Sequence, residues 1–209
     1  MGSDEELTSR VTALLARIGE GADVRETLEE VLAAVGEASG CESVGIRWKA
    51  GADYPYLLTR GFGREFVVVE GPLCVRDAAG LILRHRDGRP QLACMCGAVV
   101  QGRTDPSLPY FTEGGSFWTS GTSRLLAETP PVKQTGITTR NYCNQVGYES
   151  VALIPLRSEG ETYGVLQMNS RAPGRFTEGV VARYEGLAGE IAEAVAGRVD
   201  ETEGRPLPG

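Results

Sequence analysis

The sequence predicts an α/β (α+β) fold: a central antiparallel sheet flanked by N- and C-terminal helices, with a long irregular segment in the middle of the chain. Three observations carry this. Apolar residues recur at helical spacing at both ends, strand-like runs occupy 44–48, 56–60, 151–156 and 162–169, and glycine and proline punctuate residues 71–147.

Leu7, Val11, Leu14, Leu15 and Ile18 fall three or four residues apart and predict an amphipathic helix that ends near residues 19–21. Asp23, with Glu26 three residues on, has the form of a capping box, and Leu28, Val31, Leu32 and Val35 continue as a second apolar stripe that stops at 36–40. Val44, Ile46 and Trp48 alternate with Gly45 and Arg47, the period of a half-buried strand, and 56–60 predicts its partner across a turn holding Asp53 and Pro55. Within the middle, 81–83 and 92–96 flank Asp87-Gly88 and are predicted to pair as a hairpin. A second hairpin joins 151–156 to 162–169 through the turn 158–161. Thr177 is a good N-cap for a long terminal helix whose apolar face is Val180, Tyr184, Leu187, Ile191 and Val195, with Gly186 and Gly189 read as points of close packing. Residues 1–23 are a leader helix in which Met1-Gly2-Ser3 reads as an expression scar, 24–197 are the domain proper, and 198–209 are a flexible tail.

An apolar fraction of 41% with 23% charged residues is ordinary for one globular domain. No apolar stretch approaches the roughly 20 residues that cross a bilayer. The acidic start Asp4-Glu5-Glu6 is unlike a secretory signal, so a cytoplasmic protein without membrane contact is expected. A net charge of -7 with scattered basic residues argues against nucleic acid as a partner. His85, the sole histidine, stands in RHRDGRP beside a turn and reads as a solvated loop residue.

Five cysteines without an export signal point to thiols, ligands or core residues rather than a disulfide framework. If LACMC is extended, Cys94 and Cys96 project to one face; the Asp87-Gly88 turn brings them back toward Cys74, and Cys143 precedes the strand that starts at Ser150. Cys74, Cys94, Cys96 and Cys143 then offer an all-sulfur site for zinc or an iron–sulfur cluster. Reversible thiol–disulfide chemistry and inert burial remain open beside it, and Cys41 is expected in the core. Arg103, Asp105, Arg140 and Asn141, with Phe111, Phe117 and Trp118, form a candidate pocket for a small anion. The alternative is that Asp105 caps a turn, the arginines make internal ion pairs and the aromatics are core. TEGGSFW lacks the Gly-Lys-Ser/Thr of a phosphate cradle.

ESVALIPLRSEGETYGVLQMNS, residues 149–170, resembles the strand hairpin of the GAF family of sensory domains; RFTEGVVARYEGLAGEIAEAVAGR resembles its closing helix and GCESVGIRW its first strand. The strings CMCG, GRTDP, FTEGGSFW, RNYCN and GYESVALIPL are similar to a cysteine-rich subset attached to bacterial sensor histidine kinases. The resemblance implies a signal-transduction module that binds a metal, a cluster or a small ligand in a pocket built by the irregular middle. It also implies terminal helices that pair in a homodimer and signal to a histidine kinase or other output partner, and no catalysis. Signatures of cyclic-nucleotide and bilin binding are missing. Two other classes compete: a cysteine-dependent enzyme of the free methionine sulfoxide reductase type, and a ligand-free dimerisation module.

Overall fold

The computed structural model describes residues 4–128, 138–200 and 204–206, so residues 1–3, read above as a scar, 129–137, and 201–203 and 207–209 of the expected tail lie outside the described residues. Helix α1 (Asp4–Gly19) folds back on α2 (Val24–Ser39), where the Asp23 side chain accepts the Glu26 N–H at 2.8 Å. Such a cap is worth about 1 kcal/mol. Gly40 ends α2 at φ 63°, a left-handed angle that favours glycine.

Strands β1 (Ser43–Trp48) and β2 (Tyr56–Arg60) pair antiparallel, and the short helix α3 (Arg64–Glu70) follows. Sequence patterning does not announce α3, because its three consecutive valines favour strand. Within the irregular middle stand α4 (Cys94–Val100), β3 (Phe117–Thr119), α5 (Thr122–Glu128) and α6 (Tyr142–Gln145). Then β4 (Ser150–Ser158) and β5 (Glu161–Ser170) form the expected hairpin, with Glu159 and Gly160 at φ 51° and 82° as a two-residue turn of the primed kind that twisted strands prefer. Helix α7 (Glu178–Val195) starts at Thr177, whose hydroxyl accepts the Val180 N–H at 3.3 Å. Val199–Asp200 and Arg205–Pro206 make a small antiparallel pair, β6 and β7.

The five-stranded antiparallel sheet has the order β2-β1-β5-β4-β3. Strand alternation assigns its two faces. Val44, Ile46 and Trp48, with Ala152, Ile154, Leu156, Leu166 and Met168, join a core under α1, α2 and α7. Val151, Leu153, Val165 and Phe117 join a second core covered by segments within 62–128 and 138–148. Both faces are therefore dry, and β1 is buried along its whole length rather than half-buried as its alternation suggested. The polar residues of the alternating set, Ser43 and Arg47, lie against the second layer.

Two other expectations change. Residues 92–96 are not a hairpin arm. Bridges join Arg84 to Pro90, Ile82 to Arg76 and Leu92 to Cys74, a three-pass ribbon, after which the chain turns into α4. A short wholly apolar run such as CMCGAVV fits a buried helix as well as a strand, and tertiary packing decides. Gly97 makes that packing possible, since a Cβ there would lie 2.6 Å from the Leu92 Cβ. Gly186 and Gly189 are not close-packing points: a Cβ at either meets nothing within 4 Å. Val11, Leu15 and Ile18 of α1 are buried in the core of their own chain, against α2 and α7.

Candidate functional site

A cavity of about 80 Å³ opens on the second face of the sheet, between α4, α5, α6 and strands β3 and β4. Apolar walls come from Met95, Phe117, Leu125, Val151 and Leu153, and three sulfurs line it: Cys94, Cys96 and Cys143. Cys74 does not; its thiol donates to the Ala52 carbonyl at 3.1 Å, and its N–H joins that of Leu73 on the Asp53 carboxylate. Cys94 and Cys96 meet the cavity from a helix instead of one strand face. Cys94 sits at φ 62°, an angle that costs a non-glycine residue on the order of 1 kcal/mol and tends to concentrate at functional sites.

The segment 138–145 is tied to that cysteine. The Cys94 N–H donates to the Thr138 carbonyl at 2.8 Å and the Arg140 N–H to the Cys94 sulfur at 3.3 Å. The Arg140 guanidinium donates to the Pro72 carbonyl at 2.8 Å and to the Glu70 carboxylate at 3.1 Å. Its Nε is also 3.1 Å from the other Glu70 oxygen, inside ion-pair range but off the hydrogen-bond line. Glu70, 3% exposed, is one more cavity-lining residue.

Under the cysteines lies a polar platform. Arg47 is wholly buried on β1 and donates to the carbonyls of Tyr54 (3.1 Å), Gly71 (2.9 Å) and Glu70 (2.7 Å), with the Tyr56 ring 3.8 Å from its guanidinium carbon. Gln167 on β5 accepts from the Tyr56 hydroxyl at 2.9 Å and donates to Asn169 at 3.1 Å, and Asn169 donates to the Cys143 sulfur at 3.5 Å. Arg47, Gln167 and Asn169 escaped the sequence reading. Each stands in the alternating phase opposite the helix-side apolar residues of its strand (Ile46 and Trp48 in β1, Leu166 and Met168 in β5), a phase that reads as solvent-facing until the second layer covers it.

Burial sets the protonation of the thiols. It pushes Cys96 up to about 12 and Cys74 to about 11, the latter helped by the Asp53 charge. Cys143 and Cys94 are raised for the same reason, the latter against the opposing charge of Arg140. Burial therefore favours the neutral thiol at each of these four cysteines. Among the described residues no group of three or more Cys, His, Asp or Glu side chains stands at metal-binding distance. With Cys74 held apart from the other three, the residues do not fit a four-sulfur zinc or cluster site as they stand.

The remaining sequence-predicted site residues separate. Phe117 and Asn141 line the cavity and Arg140 adjoins it. Trp118, next to Phe117 in β3, projects to the opposite face and packs against the helix-side core. Arg103 donates to the Leu92 carbonyl and Gln101, and Asp105 caps a turn by accepting the Ser107 N–H at 3.0 Å. His85 is exposed and Cys41 is buried in the helix-side core, both as expected. The loop 112–116 has an anion of its own: the Thr112 and Ser116 hydroxyls donate to the Glu185 carboxylate of α7, Ser116 at 2.6 Å. A Cβ at Gly114 would collide with that carboxylate. Phe117 at the cavity is thus one residue from a loop clamped to the terminal helix.

A sheet covered by terminal helices on one face and by a pocket-bearing irregular layer on the other defines an α/β pocket domain. The family model described as GAF domain matches residues 23–195, and the chain belongs to that family. No curated protein matches it. Solved structures share the fold at low identity. The GAF domain of an Acinetobacter phosphoenolpyruvate-protein phosphotransferase is 14% identical with a TM-score of 0.58, over 94% of this chain and 95% of that one. The free methionine-R-sulfoxide reductase of Neisseria meningitidis, in complex with its substrate, is 15% identical with a TM-score of 0.55, over 94% and 92%. A domain of a protein described as a two-component sensor histidine kinase from Sinorhizobium meliloti 1021 is 12% identical with a TM-score of 0.52, over 84% and 92%.

Proposed function

We propose that the chain is the sensory module of a signalling protein, that a small uncharged ligand occupies the cysteine-lined cavity, and that the terminal helix α7 carries the response to an output partner such as a histidine kinase. One observation supports this above the others. The cavity wall residue Phe117 continues directly into the loop that grips Glu185 on α7, so occupancy that displaces β3 loads the terminal helix. The cavity's small size selects the ligand. An apolar cavity of ~150 Å³ holds benzene, and about 80 Å³ suits a molecule of a few heavy atoms.

The test uses xenon as probe. Saturable xenon binding is expected by xenon NMR, abolished by Val151→Phe or Leu153→Trp in variants that retain cooperative unfolding. Absence of binding to the unaltered chain overturns the reading.

The thiol-enzyme reading has one favouring observation, three cysteines around a single cavity in a fold shared with a sulfoxide reductase. Nucleophilic attack needs a thiolate, and burial holds these sulfurs in the other form. Turnover of free methionine sulfoxide that is lost on replacing Cys94, Cys96 or Cys143 would establish it over the sensory reading.

A further inference from the structure

The cysteine-lined cavity has apolar walls and, among its described lining residues, one carboxylate, that of Glu70. The side chain is buried, and an ionised carboxylate has about four lone-pair sites to fill. Among the described residues one hydrogen bond reaches it, from the Arg140 guanidinium to Oε2 at 3.1 Å. The other oxygen, Oε1, is buried and accepts none. Arg140 Nε stands 3.1 Å from Oε1, close enough to balance its charge, yet it too is buried and without an acceptor. The guanidinium cannot turn to close this gap. It is fixed by its bonds to Oε2 and to the Pro72 carbonyl, and the Arg140 N–H is held on the Cys94 sulfur. Thr122 and Asn144, polar residues of the same wall, are by contrast engaged with each other and with the Tyr148 carbonyl and Ser123.

A buried charged group left short of hydrogen bonds is costly, and native structures fill such gaps with a ligand or an ordered water. The two orphaned atoms define what answers them, since they stand side by side and one is an acceptor and the other a donor. A hydroxyl both donates and accepts. An ammonium has nothing to accept from Nε, an ether or ketone oxygen has nothing to donate to Oε1, and a carboxylate is repelled by Glu70. Glu70 and Arg140 are neutral as a pair, so no net charge is called for. Met95, Phe117, Val151 and Leu153 supply the surface for a short alkyl chain. Apolar walls with a few placed polar groups are the usual pattern of a small-molecule site.

We propose that Glu70, supported by Arg140, determines the specificity of the cavity and selects a small neutral alcohol, with the hydroxyl on the carboxylate and the alkyl chain against the apolar walls. This rests on the cavity being the ligand site and names the class of ligand it takes.

Two isomers of one formula separate the hydroxyl from size and apolar area: 1-propanol, and ethyl methyl ether, which lacks the donor. Each is titrated in the cold into the whole chain, with the Val151 and Leu153 methyls followed by NMR. 1-Propanol is expected to bind about tenfold or more tightly than the ether. Glu70→Gln keeps the shape but leaves only a neutral acceptor, so it should remove most of that preference while xenon binding stays unchanged. Equal affinities for the two isomers in the unaltered chain overturn the proposal and assign the gap to a water; a preference that survives Glu70→Gln in full overturns it as well. The isomer comparison needs no variant, so it decides the matter even where Glu70→Gln does not fold. Xenon binding without binding of either isomer sinks the alcohol assignment and leaves the cavity reading standing, whereas loss of xenon binding in the unaltered chain sinks both.

Discussion

Replacing Arg47 by methionine probes the layer on which the cavity rests. The side chain has no solvent exposure, and its guanidinium saturates three backbone carbonyls, those of Tyr54, Glu70 and Gly71, at 2.7–3.1 Å. Methionine fills similar space but supplies no donor, so all three acceptors stay buried and unpaired. At about 1–3 kcal/mol for each stranded group, with partial relaxation, the loss comes to roughly 3–5 kcal/mol. That is a large share of the ~5–15 kcal/mol that holds a domain together. For a chain of this length it lowers Tm by about 6–20 °C. Urea unfolding followed by circular dichroism measures it directly. Arg47→Lys keeps the charge but presents a point ammonium instead of a fork, and should recover only part of the deficit. A loss below about 1 kcal/mol for Arg47→Met would refute the claim that this arginine organises β1, the end of α3 and the Asp53 turn.

Three further outcomes follow from the same contacts. Glu149 accepts from the Ser123 hydroxyl (2.5 Å) and N–H (3.1 Å) at the start of α5, and those bonds hold its carboxyl below the ordinary value. Because the folded-state value is depressed, its contribution is complete above the unfolded carboxyl value and disappears as pH falls through the folded one; Glu149→Gln should flatten the acid limb of the stability curve, and an unchanged limb contradicts the assignment. Glu185→Ala removes the acceptor of Thr112 and Ser116, so hydrogen exchange should accelerate at 112–116 while the amides of β4 and β5 stay protected. Chain isolated under argon should contain far less than one iron or zinc per molecule by elemental analysis; a stoichiometric metal would mean that Cys74 closes on the other three sulfurs.

The scaffold was legible because its signals are local. Asp23, Gly40, Thr177 and the Glu159-Gly160 turn each mark a boundary through their own backbone chemistry, and the stripes of α1, α2 and α7 name the residues that are buried. The cavity was legible only in composition. Cys94, Cys96, Cys143, Phe117 and Asn141 were singled out, yet their arrangement depends on α4 being a helix, on Phe117 and Trp118 alternating across β3, and on a ribbon that turns Cys74 away. None of these is a short-range property. Arg47 shows the limit most clearly, since an arginine in a strand reads as solvent-facing until a second layer covers that face.

The coupling between cavity and terminal helix is tested most directly by NMR under xenon pressure. Shift changes are predicted at the Val151 and Leu153 methyls and, together with them, at the amides of residues 112–116 and Glu185, with Glu185→Gln confining the response to the cavity. Changes that stop at the cavity in the unaltered chain, or an absence of any change there, would contradict the account.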